Sequence, residues 1–521
     1  MVQGRIRILV LILIVGMSFV RSAVAGPRDA KELAARIDRR LENHWKAEKI
    51  QPAPHSDDAE FLRRIYLDIT GRIPRPADAH GFLSDNSADK RGQLIDQLLE
   101  SPRFAIHFAN IWRAELLPEI ATNREAGVFQ RGFENWLRER FRAGVGYDQL
   151  VRELLTVPIA AKGQDAEPVL RDPERPNPLA FFAVKAARPE NLAAAVSRSM
   201  LGIRLECAQC HNHPFAKWKR EQFWSQAAFF AGLRKQGDGL FAPLTESADR
   251  HEISASWSGK LLQAAFLDSS TPKWQEGRGP RTVLAEWITS RDNPYFARAA
   301  VNRMWGYFFG TGLVDPVDDF RDDNPPSDVD LLDDLAHSFV ESGFDLSFLI
   351  RGICLSRTYQ RTSARTNPSQ DNTRLPARMA VKAMTAEQFF DSLALATGYR
   401  EDQDKGAARR QFLARFALAS SVSEPETSVQ QALTLLNGRF ISWATDPEKS
   451  PTLIAATQTP GMSLAQRIET LYLATISRKP NPEELDHLER YVRRAKSNRE
   501  AERLADVFWT LLNSAEFRMN H

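Results

Sequence analysis

Apolar residues recur at helical spacing along most of this chain, and that periodicity restricts the fold more than any other feature of the sequence. The clearest examples are Phe61, Leu62, Ile65, Tyr66 and Ile69, then Leu94, Ile95, Leu98 and Leu99, and then Leu192, Val196 and Met200 after Pro189. Residues at these intervals share one face of an α-helix, whereas the two-residue alternation of a half-buried strand is scarce here. We therefore predict a mainly α, multi-helical fold, and the length of 521 residues suits two or more helical domains.

Two segments near the ends of the chain share one pattern. The shared positions are Tyr66, Leu67, Gly71, Arg72, Pro74, Pro76 and Asp78 in the first segment and Tyr472, Leu473, Ser477, Arg478, Pro480, Pro482 and Glu484 in the second. Each segment runs on to a Leu-Leu-x-Ser-x-x-Phe ending, at residues 98–104 and 511–517. A helix closed by Gly or Ser, a turn with Pro, and a second helix that opens with Pro and an acid predict a helical hairpin used twice.

The first 25 residues have the pattern of a secretory signal peptide. Arg5 and Arg7 precede the apolar run from Ile8 to Val20, and Ala23-Val24-Ala25 forms a small-x-small cleavage site. An uncleaved membrane anchor is the alternative, but this run of 13 residues is shorter than the ~20 that a spanning helix needs. We predict cleavage, an extracytoplasmic location (periplasmic, secreted or cell surface) and no transmembrane anchor in the mature chain.

Clusters of Pro, Gly and polar residues suggest the domain boundaries. We predict an N-terminal helical domain over residues 27–233, an irregular linker over 234–280 and a C-terminal helical domain over 281–521 that ends in the second hairpin. The formal net charge of +3 equals the three arginines within residues 1–25, so the remainder is neutral. A neutral chain without a basic block is not expected to bind nucleic acid. A redox protein or a cell-surface protein is the kind of partner that export favours.

The sharpest local signal is Cys207-Ala208-Gln209-Cys210-His211, the Cys-x-x-Cys-His pattern by which a c-type haem is attached. On a helical turn, positions i, i+3 and i+4 share one face, so two thiols can bond the porphyrin vinyl groups while the imidazole ligates iron. Covalent haem attachment takes place outside the bacterial cytoplasmic membrane, which agrees with the predicted export. The remaining cysteine, Cys354, lies between isoleucines and is predicted to be a buried thiol.

Other interpretations of the cysteine motif stay open. Cys207 and Cys210 could form a structural or redox-active pair, or they could bind zinc together with His211 or His213 and a ligand from elsewhere. The iron of a haem would also take a sixth ligand. The residues whose side chains could serve are Met200, Met304, Met379, Met384, Met462 and His251. Pro214 holds the backbone of His213 extended. We therefore expect His213 to have a structural role, or to support a metal ligand, rather than to bind the same iron as His211.

Two further groupings have both a functional and a structural interpretation. The aromatic residues from Phe215 to Phe230 could surround the porphyrin ring of a haem. Their helical spacing instead favours a place in the hydrophobic core. The nine aspartates between Asp315 and Asp334 could hold a cation. A surface acidic loop is the favoured alternative, in which some aspartates cap the helix containing Leu331 or pair with Arg303 or Arg321.

Several stretches make the chain resemble a known pair of domains. Residues 64–74 read Arg-Ile-Tyr-Leu-Asp-Ile-Thr-Gly-Arg-Ile-Pro and precede the stretch from Leu201 through the cysteine motif to Phe215, as in the planctomycete cytochrome-associated domain of unknown function 1549. The later stretches 300–305, 309–314, 318–320, 331–333 and 356–359 resemble its companion, domain of unknown function 1553. The resemblance implies export and, often, a separate cytochrome c domain in front, for which residues 27–57 are too short. At residues 326–329 this chain has Pro-Ser-Asp-Val where the family usually has Pro-Ser-His-Pro.

These features support three hypotheses about function. The first is an exported helical protein that binds one c-type haem through Cys207, Cys210 and His211 for electron transfer or redox sensing. The second is a non-enzymatic extracytoplasmic interaction scaffold with a structural cysteine pair or metal site. The third, ranked last, is a hydrolase of surface polymers that holds a metal among the aspartates. No nucleophile elbow, Walker loop, dinucleotide fingerprint or His-Glu-x-x-His run occurs in the sequence, so the motifs leave open whether the protein is an enzyme.

Overall fold

A computed structural model describes residues 29–163, 168–169, 172–214, 216–255, 257–371, 373–401, 406–416, 438–494 and 499–521. The predicted signal peptide and Phe215 lie outside these residues. Within them the fold is mainly α-helical and multi-helical, as predicted. No helix in these ranges is both long enough and apolar enough to span a bilayer.

The first fifteen helices carry the N-terminal two thirds of the chain. They are α1 (Ala30–Ala47), α2 (Asp58–Thr70), α3 (Pro76–Ser84), α4 (Lys90–Leu99), α5 (Pro102–Leu116), α6 (Glu119–Thr122), α7 (Gln130–Arg142), α8 (Tyr147–Leu155), α9 (Ala180–Val184), α10 (Pro189–Leu201), α11 (Arg220–Ala227), α12 (Pro280–Ile288), α13 (Phe296–Phe309), α14 (Val329–Glu341) and α15 (Leu346–Leu355). Short 3-10 helices cover Ala126–Phe129, Glu206–Gln209, Ala228–Phe230 and Pro368–Gln370.

The remaining helices form the C-terminal part. They are α16 (Ala386–Thr397), α17 (Ala407–Phe416), α18 (Arg439–Ala444), α19 (Pro451–Gln458), α20 (Leu464–Thr475), α21 (Pro482–Arg493), α22 (Glu500–Asn513) and α23 (Ala515–Arg518).

Short strands form three small sheets. Strand β1 (Ala160–Ala161) pairs in parallel with β3 (Leu244–Glu246), which pairs antiparallel with β2 (Leu233–Lys235). Strands β4 (Glu252–Ser254) and β5 (Leu261–Gln263) form an antiparallel pair, so the predicted linker contains regular structure. Strand β6 (Lys382–Ala383) pairs antiparallel with β7 (Met519–Asn520), which fastens the C-terminus beside the segment that leads into α16.

Buried apolar side chains form two cores. The larger one draws on residues from Leu33 in α1 to Met379 before β6, on both sides of the predicted linker, and also contains Leu473 of α20. The smaller core lies among α16 to α23 and also receives Leu67 and Ile73 from the first hairpin. The predicted domain boundaries themselves stay a prediction.

Both predicted hairpins are helix, turn and helix in the structure. Helix α2 begins at its N-cap Asp57, whose carboxylate accepts from the Glu60 amide at 2.8 Å, and it ends at Gly71 with φ +72°. Helix α20 begins at the N-cap Ser463, and Ser477, just after this helix, has φ +63°. The two turns therefore place a left-handed residue at the same position of the shared pattern. The duplication as such stays a prediction.

Candidate functional site

The Cys-x-x-Cys-His motif lies on the protein surface, on the 3-10 helix Glu206–Gln209 and the turn after it. Cys207, Cys210 and His211 are exposed, and both sulfurs are free thiols. Ala208 between them is fully buried and anchors the turn. The Trp224 indole of α11 also holds it, because its Nε1–H donates to the Gln209 carbonyl at 3.0 Å. The turn is therefore fixed to the core while its reactive groups face solvent.

The imidazole of His211 is oriented by its own backbone. Its Nδ1 lies 2.7 Å from the carbonyl oxygen of Asn212. Because a carbonyl oxygen can only accept, Nδ1 carries the proton, and Nε2 then has the lone pair. Metal-ligating histidines are commonly held in this way, by an N–H to a carbonyl that fixes the tautomer and the ring orientation.

A cation and two tryptophans border the turn. The backbone amide of Arg220, the first residue of α11, donates to the Asn212 side chain at 3.0 Å. Its guanidinium lies 3.7 Å from the centre of the Trp257 ring, and the Trp224 ring centre is 6.0 Å from that of Trp257. No carboxylate in the described part of the chain pairs with Arg220. The neighbourhood of the motif thus offers aromatic surface and an unpaired positive charge.

A second polar site is buried, and its residues were not predicted to lie together. Asp68 of α2 is 1 % exposed, and its carboxylate accepts from the Tyr359 hydroxyl at 2.8 Å, from Lys382 Nζ at 2.9 Å and from the Asn520 amide at 2.7 Å. Lys382 Nζ also donates to the carbonyl of Tyr307 at 2.9 Å, near the end of α13. The charge of Asp68 is therefore compensated by one ammonium group and two further hydrogen bonds.

The network continues to His107 of α5. The Tyr307 hydroxyl donates its only proton to the Asp68 backbone carbonyl at 2.9 Å, so His107 Nε2, 2.7 Å from that hydroxyl, must be the donor. Burial, and next the nearby charge of Lys382, lowers the pKa of His107 to about 3. Burial also raises the pKa of the Tyr307 and Tyr359 hydroxyls well above its ordinary value. These groups keep fixed protonation states near neutral pH, which suits a structural role rather than proton transfer.

Two family models match the chain, one after the other. The first, PSCyt2, protein of unknown function (DUF1549), matches residues 36–235, and the second, PSD1, protein of unknown function (DUF1553), matches residues 280–421. The chain contains both domains, in this order. The cysteine motif, Asp68 and His107 lie in the DUF1549 segment, whereas Tyr307, Tyr359 and Lys382 lie in the DUF1553 segment. No curated protein and no solved structure shows significant similarity to the chain.

The Asp68 network therefore joins the DUF1549 segment to the DUF1553 segment. Its remaining member, Asn520, lies beyond both matched segments, on β7. In the sequence, Asp68 and Tyr359 are marked only as members of the stretches that carry the resemblance. Their spacing along the chain says nothing about mutual contact, because the carboxylate of Asp68 and the amide of Asn520 are 452 residues apart.

The other predicted site residues differ in burial and in their contacts. His213 is half-buried, and its backbone amide donates to the Trp218 carbonyl at 2.9 Å. In the described ranges no three His, Cys, Asp or Glu side chains converge so as to hold a metal ion. Zinc ligation by Cys207, Cys210 and His211 or His213 is therefore not supported. Cys354 is fully buried, as predicted.

The aromatic residues after the motif are mainly core, as their spacing indicated. Trp218, Phe223, Phe229 and Phe230 are buried, and Trp224 is half-buried against the cysteine turn. Among the candidates for a sixth haem ligand, Met200, Met304 and Met379 are fully buried, Met384 and Met462 are half-buried, and the His251 ring lies 4.3 Å from the centre of Trp274. The three fully buried methionines could not reach iron held at the exposed turn without rearrangement of the core.

The acidic stretch is largely neutralised by arginines. Asp328 caps α14 by accepting from the Leu331 amide at 3.0 Å, as predicted for one aspartate. Arg321 pairs with Asp319 at 3.2 Å and with Asp323 at 3.3 Å, as predicted. The predicted pairing of Arg303 with this stretch is wrong, because its guanidinium contacts Glu115 of α5 at 2.7 Å.

Other members of the stretch bind arginines that the sequence did not single out. The pairs are Asp318 with Arg198 and Arg204, Asp328 and Asp330 with Arg40, Asp333 with Arg298, and Asp334 with Arg36. These carboxylates hold α14 and its preceding loop against α1, α10 and α13. A metal-dependent hydrolase site in this stretch is therefore not supported.

The pKa of His107 predicts a pH dependence of stability. Because the folded value of about 3 is below the unfolded value of about 6.5, the unfolded chain binds the proton more readily. The contribution of neutral His107 to the free energy of unfolding is fully present above pH ~6.5 and is lost as the pH falls toward 3. As the pH falls from 8 to 5, we expect protonation of His107 in the unfolded chain to lower the free energy of unfolding by about 2 kcal/mol. The loss is about 1.4 kcal/mol per pH unit below pH ~6.5.

Chemical denaturation at a series of pH values measures this effect. The side chain in His107→Gln stays neutral at every pH. Between pH 8 and pH 5 the free energy of unfolding of this variant should therefore fall by about 2 kcal/mol less than that of the unaltered protein. His55 and His521 have pKa values lowered mainly by burial, so a smaller dependence remains. The exposed His80 gives the matched control, His80→Gln. Identical pH dependence of His107→Gln and the unaltered protein would contradict the assignment.

Proposed function

We propose that this is an extracytoplasmic protein that carries one c-type haem at Cys207, Cys210 and His211 and acts in electron transfer or redox sensing. The supporting observation is the geometry of the motif. Two free thiols and an imidazole whose Nε2 lone pair is available lie on one exposed, anchored turn. A bound haem c would supply one-electron redox chemistry.

Each residue of the turn has a defined part in this proposal. Cys207 and Cys210 would each hold the porphyrin by addition of the S–H across one vinyl group, with the sulfur bonded to one vinyl carbon and the hydrogen to the other. His211 Nε2 would bind the iron, and its Nδ1–H bond to Asn212 would hold the ring and strengthen its electron donation. Arg220 is placed to offset a carboxylate of the cofactor, because it has no described acidic partner of its own.

Export is part of the same proposal. Arg5, Arg7, the apolar run Ile8–Val20 and Ala23-Val24-Ala25 support secretion, and covalent haem attachment requires a compartment outside the cytoplasm in bacteria. A redox protein is the kind of partner that an exposed haem edge would serve.

The test is to produce the full chain in a periplasm that contains haem-maturation machinery, denature the product and record the haem absorbance that stays with the polypeptide. We expect one covalent haem per chain, lost in Cys207→Ala/Cys210→Ala. The matched control is Cys354→Ala, which removes the buried third thiol and should leave haem attachment unchanged.

A colourless protein with two unmodified thiols would contradict the proposal. It would favour the second hypothesis, an extracytoplasmic interaction scaffold. In the variant His211→Ala, retained covalent haem with an altered spectrum is the expected sign that this imidazole is the axial ligand. An unchanged spectrum would assign the ligand elsewhere.

A further inference from the structure

A groove lies at the C-terminal end of α13, on a face that the cysteine motif does not line. It is bounded on one side by Phe309 and Thr311 and on the other by the segment from Thr373 to Val381 that leads into β6. Its volume is about 520 Å³, which is within the range of sites for small molecules. Neither matched domain description assigns a ligand to this place.

Two guanidinium groups line the groove. Arg374 is exposed and Arg378 is half-buried, and no carboxylate in the described ranges pairs with either of them. The adjacent acid, Asp371, is bound to Arg365 at 2.6 Å and does not neutralise them. By contrast, the guanidinium of the buried Arg113 pairs with Glu134 at 3.2 Å. The groove thus holds positive charge without a counter-ion.

The guanidinium of Arg378 is held in place and has donors to spare. One of its terminal nitrogens donates to the Ser363 carbonyl at 3.1 Å, which fixes the plane of the group. Its Nε is buried and has no acceptor among the described residues. A guanidinium group presents paired N–H donors that match the two oxygens of a carboxylate, phosphate or sulfate group.

The rest of the lining is partly apolar. Val381 contributes hydrocarbon surface, since its side chain is 53 % exposed, whereas Phe309 and Met379 are buried. The Gln370 amide nitrogen is occupied by bonds to the Gln51 carbonyl at 2.9 Å and the Thr366 hydroxyl at 2.8 Å. The arginines are therefore the charged donors that the groove offers to a ligand.

We propose that this groove binds a small amphipathic molecule with an oxyanion group, its carboxylate, phosphate or sulfate held by Arg374 and Arg378 and its apolar part against Val381. The proposal does not depend on the haem proposal, since the two sites share no residue.

The test uses calorimetric titration of the full chain with benzoate, phenyl phosphate and phenyl sulfate, with benzyl alcohol as the neutral analogue. We expect at least one oxyanion probe to bind and the alcohol not to bind, and the strongest probe identifies the anionic group. In Arg374→Gln/Arg378→Gln the affinity should fall at least about tenfold.

The control Arg142→Gln removes the same charge from an exposed position on α7, which does not line the groove, and should bind as the unaltered protein does. Arg374→Lys/Arg378→Lys keeps the charge but removes the planar forks, so an intermediate loss is expected. Thermal unfolding of each variant shows whether it is folded. Failure of all three oxyanions to bind, or equal binding by the folded Gln variant, would overturn the proposal.

Discussion

Replacing Asp68 with alanine is expected to lower the free energy of unfolding by about 3–5 kcal/mol. The substitution removes the carboxylate that accepts from Lys382, Tyr359 and Asn520, and it leaves the ammonium of Lys382, whose side chain is 15 % exposed, without its counter-ion. A charge left unpaired in a poorly solvated site costs far more than the net gain of the pair when it is intact. Chemical denaturation followed by far-UV circular dichroism measures the loss.

The matched control is Asp78→Ala. Asp78 pairs with Arg75 at 2.8 Å, but the two side chains are 27 % and 65 % exposed, so we expect a loss of less than about 1 kcal/mol. The double variant Asp68→Ala/Lys382→Met should recover part of the stability, because neither charge is then buried alone. If Asp68→Ala costs no more than Asp78→Ala, the buried network does not hold the two matched segments together.

Replacing Gly71 with alanine is expected to cost at least about 3 kcal/mol. Gly71 ends α2 with φ +72°, a conformation that costs an L-residue about 1–2 kcal/mol. An added Cβ would also lie 2.3 Å from Nδ1 of His107. The imidazole is fully buried and bonded to Tyr307, so it cannot move aside without breaking that bond.

Gly144→Ala separates these two causes. Gly144 has φ +62°, but a Cβ there would meet nothing within 4 Å, so only the backbone cost of about 1–2 kcal/mol is expected. The difference between the two variants measures the close approach of the α2 turn to His107. Equal losses of stability at both positions would show that His107 moves freely.

Much of the helical architecture could be predicted from the sequence. The apolar spacing over residues 58–70 coincides with α2, and the helix after Pro189 is α10. These predictions succeed because local periodicity and capping residues act over one or two turns of chain. The cysteine motif was equally visible, although the structure shows it on a 3-10 turn rather than on an α-helical one.

The partners of charged residues could be predicted only in part. Arg321 and Asp319 are near neighbours in the chain, and their pairing was anticipated. Arg303 instead contacts Glu115, which is distant in sequence and is brought near by the packing of the core. A long flexible side chain pairs with a carboxylate that the fold brings near it, and distance along the sequence does not identify that carboxylate.

By itself the sequence determined the helical class, the order of the two domains and the spacing of the Cys207, Cys210 and His211 motif, because each depends on residues close together in the chain. Only the tertiary structure decided which polar groups are buried together. Asp68, His107, Tyr307, Tyr359, Lys382 and Asn520 meet because α2, α5, α13 and the β6–β7 pair converge at one point. Burial is a property of that convergence, since it depends on solvent exclusion by elements hundreds of residues apart.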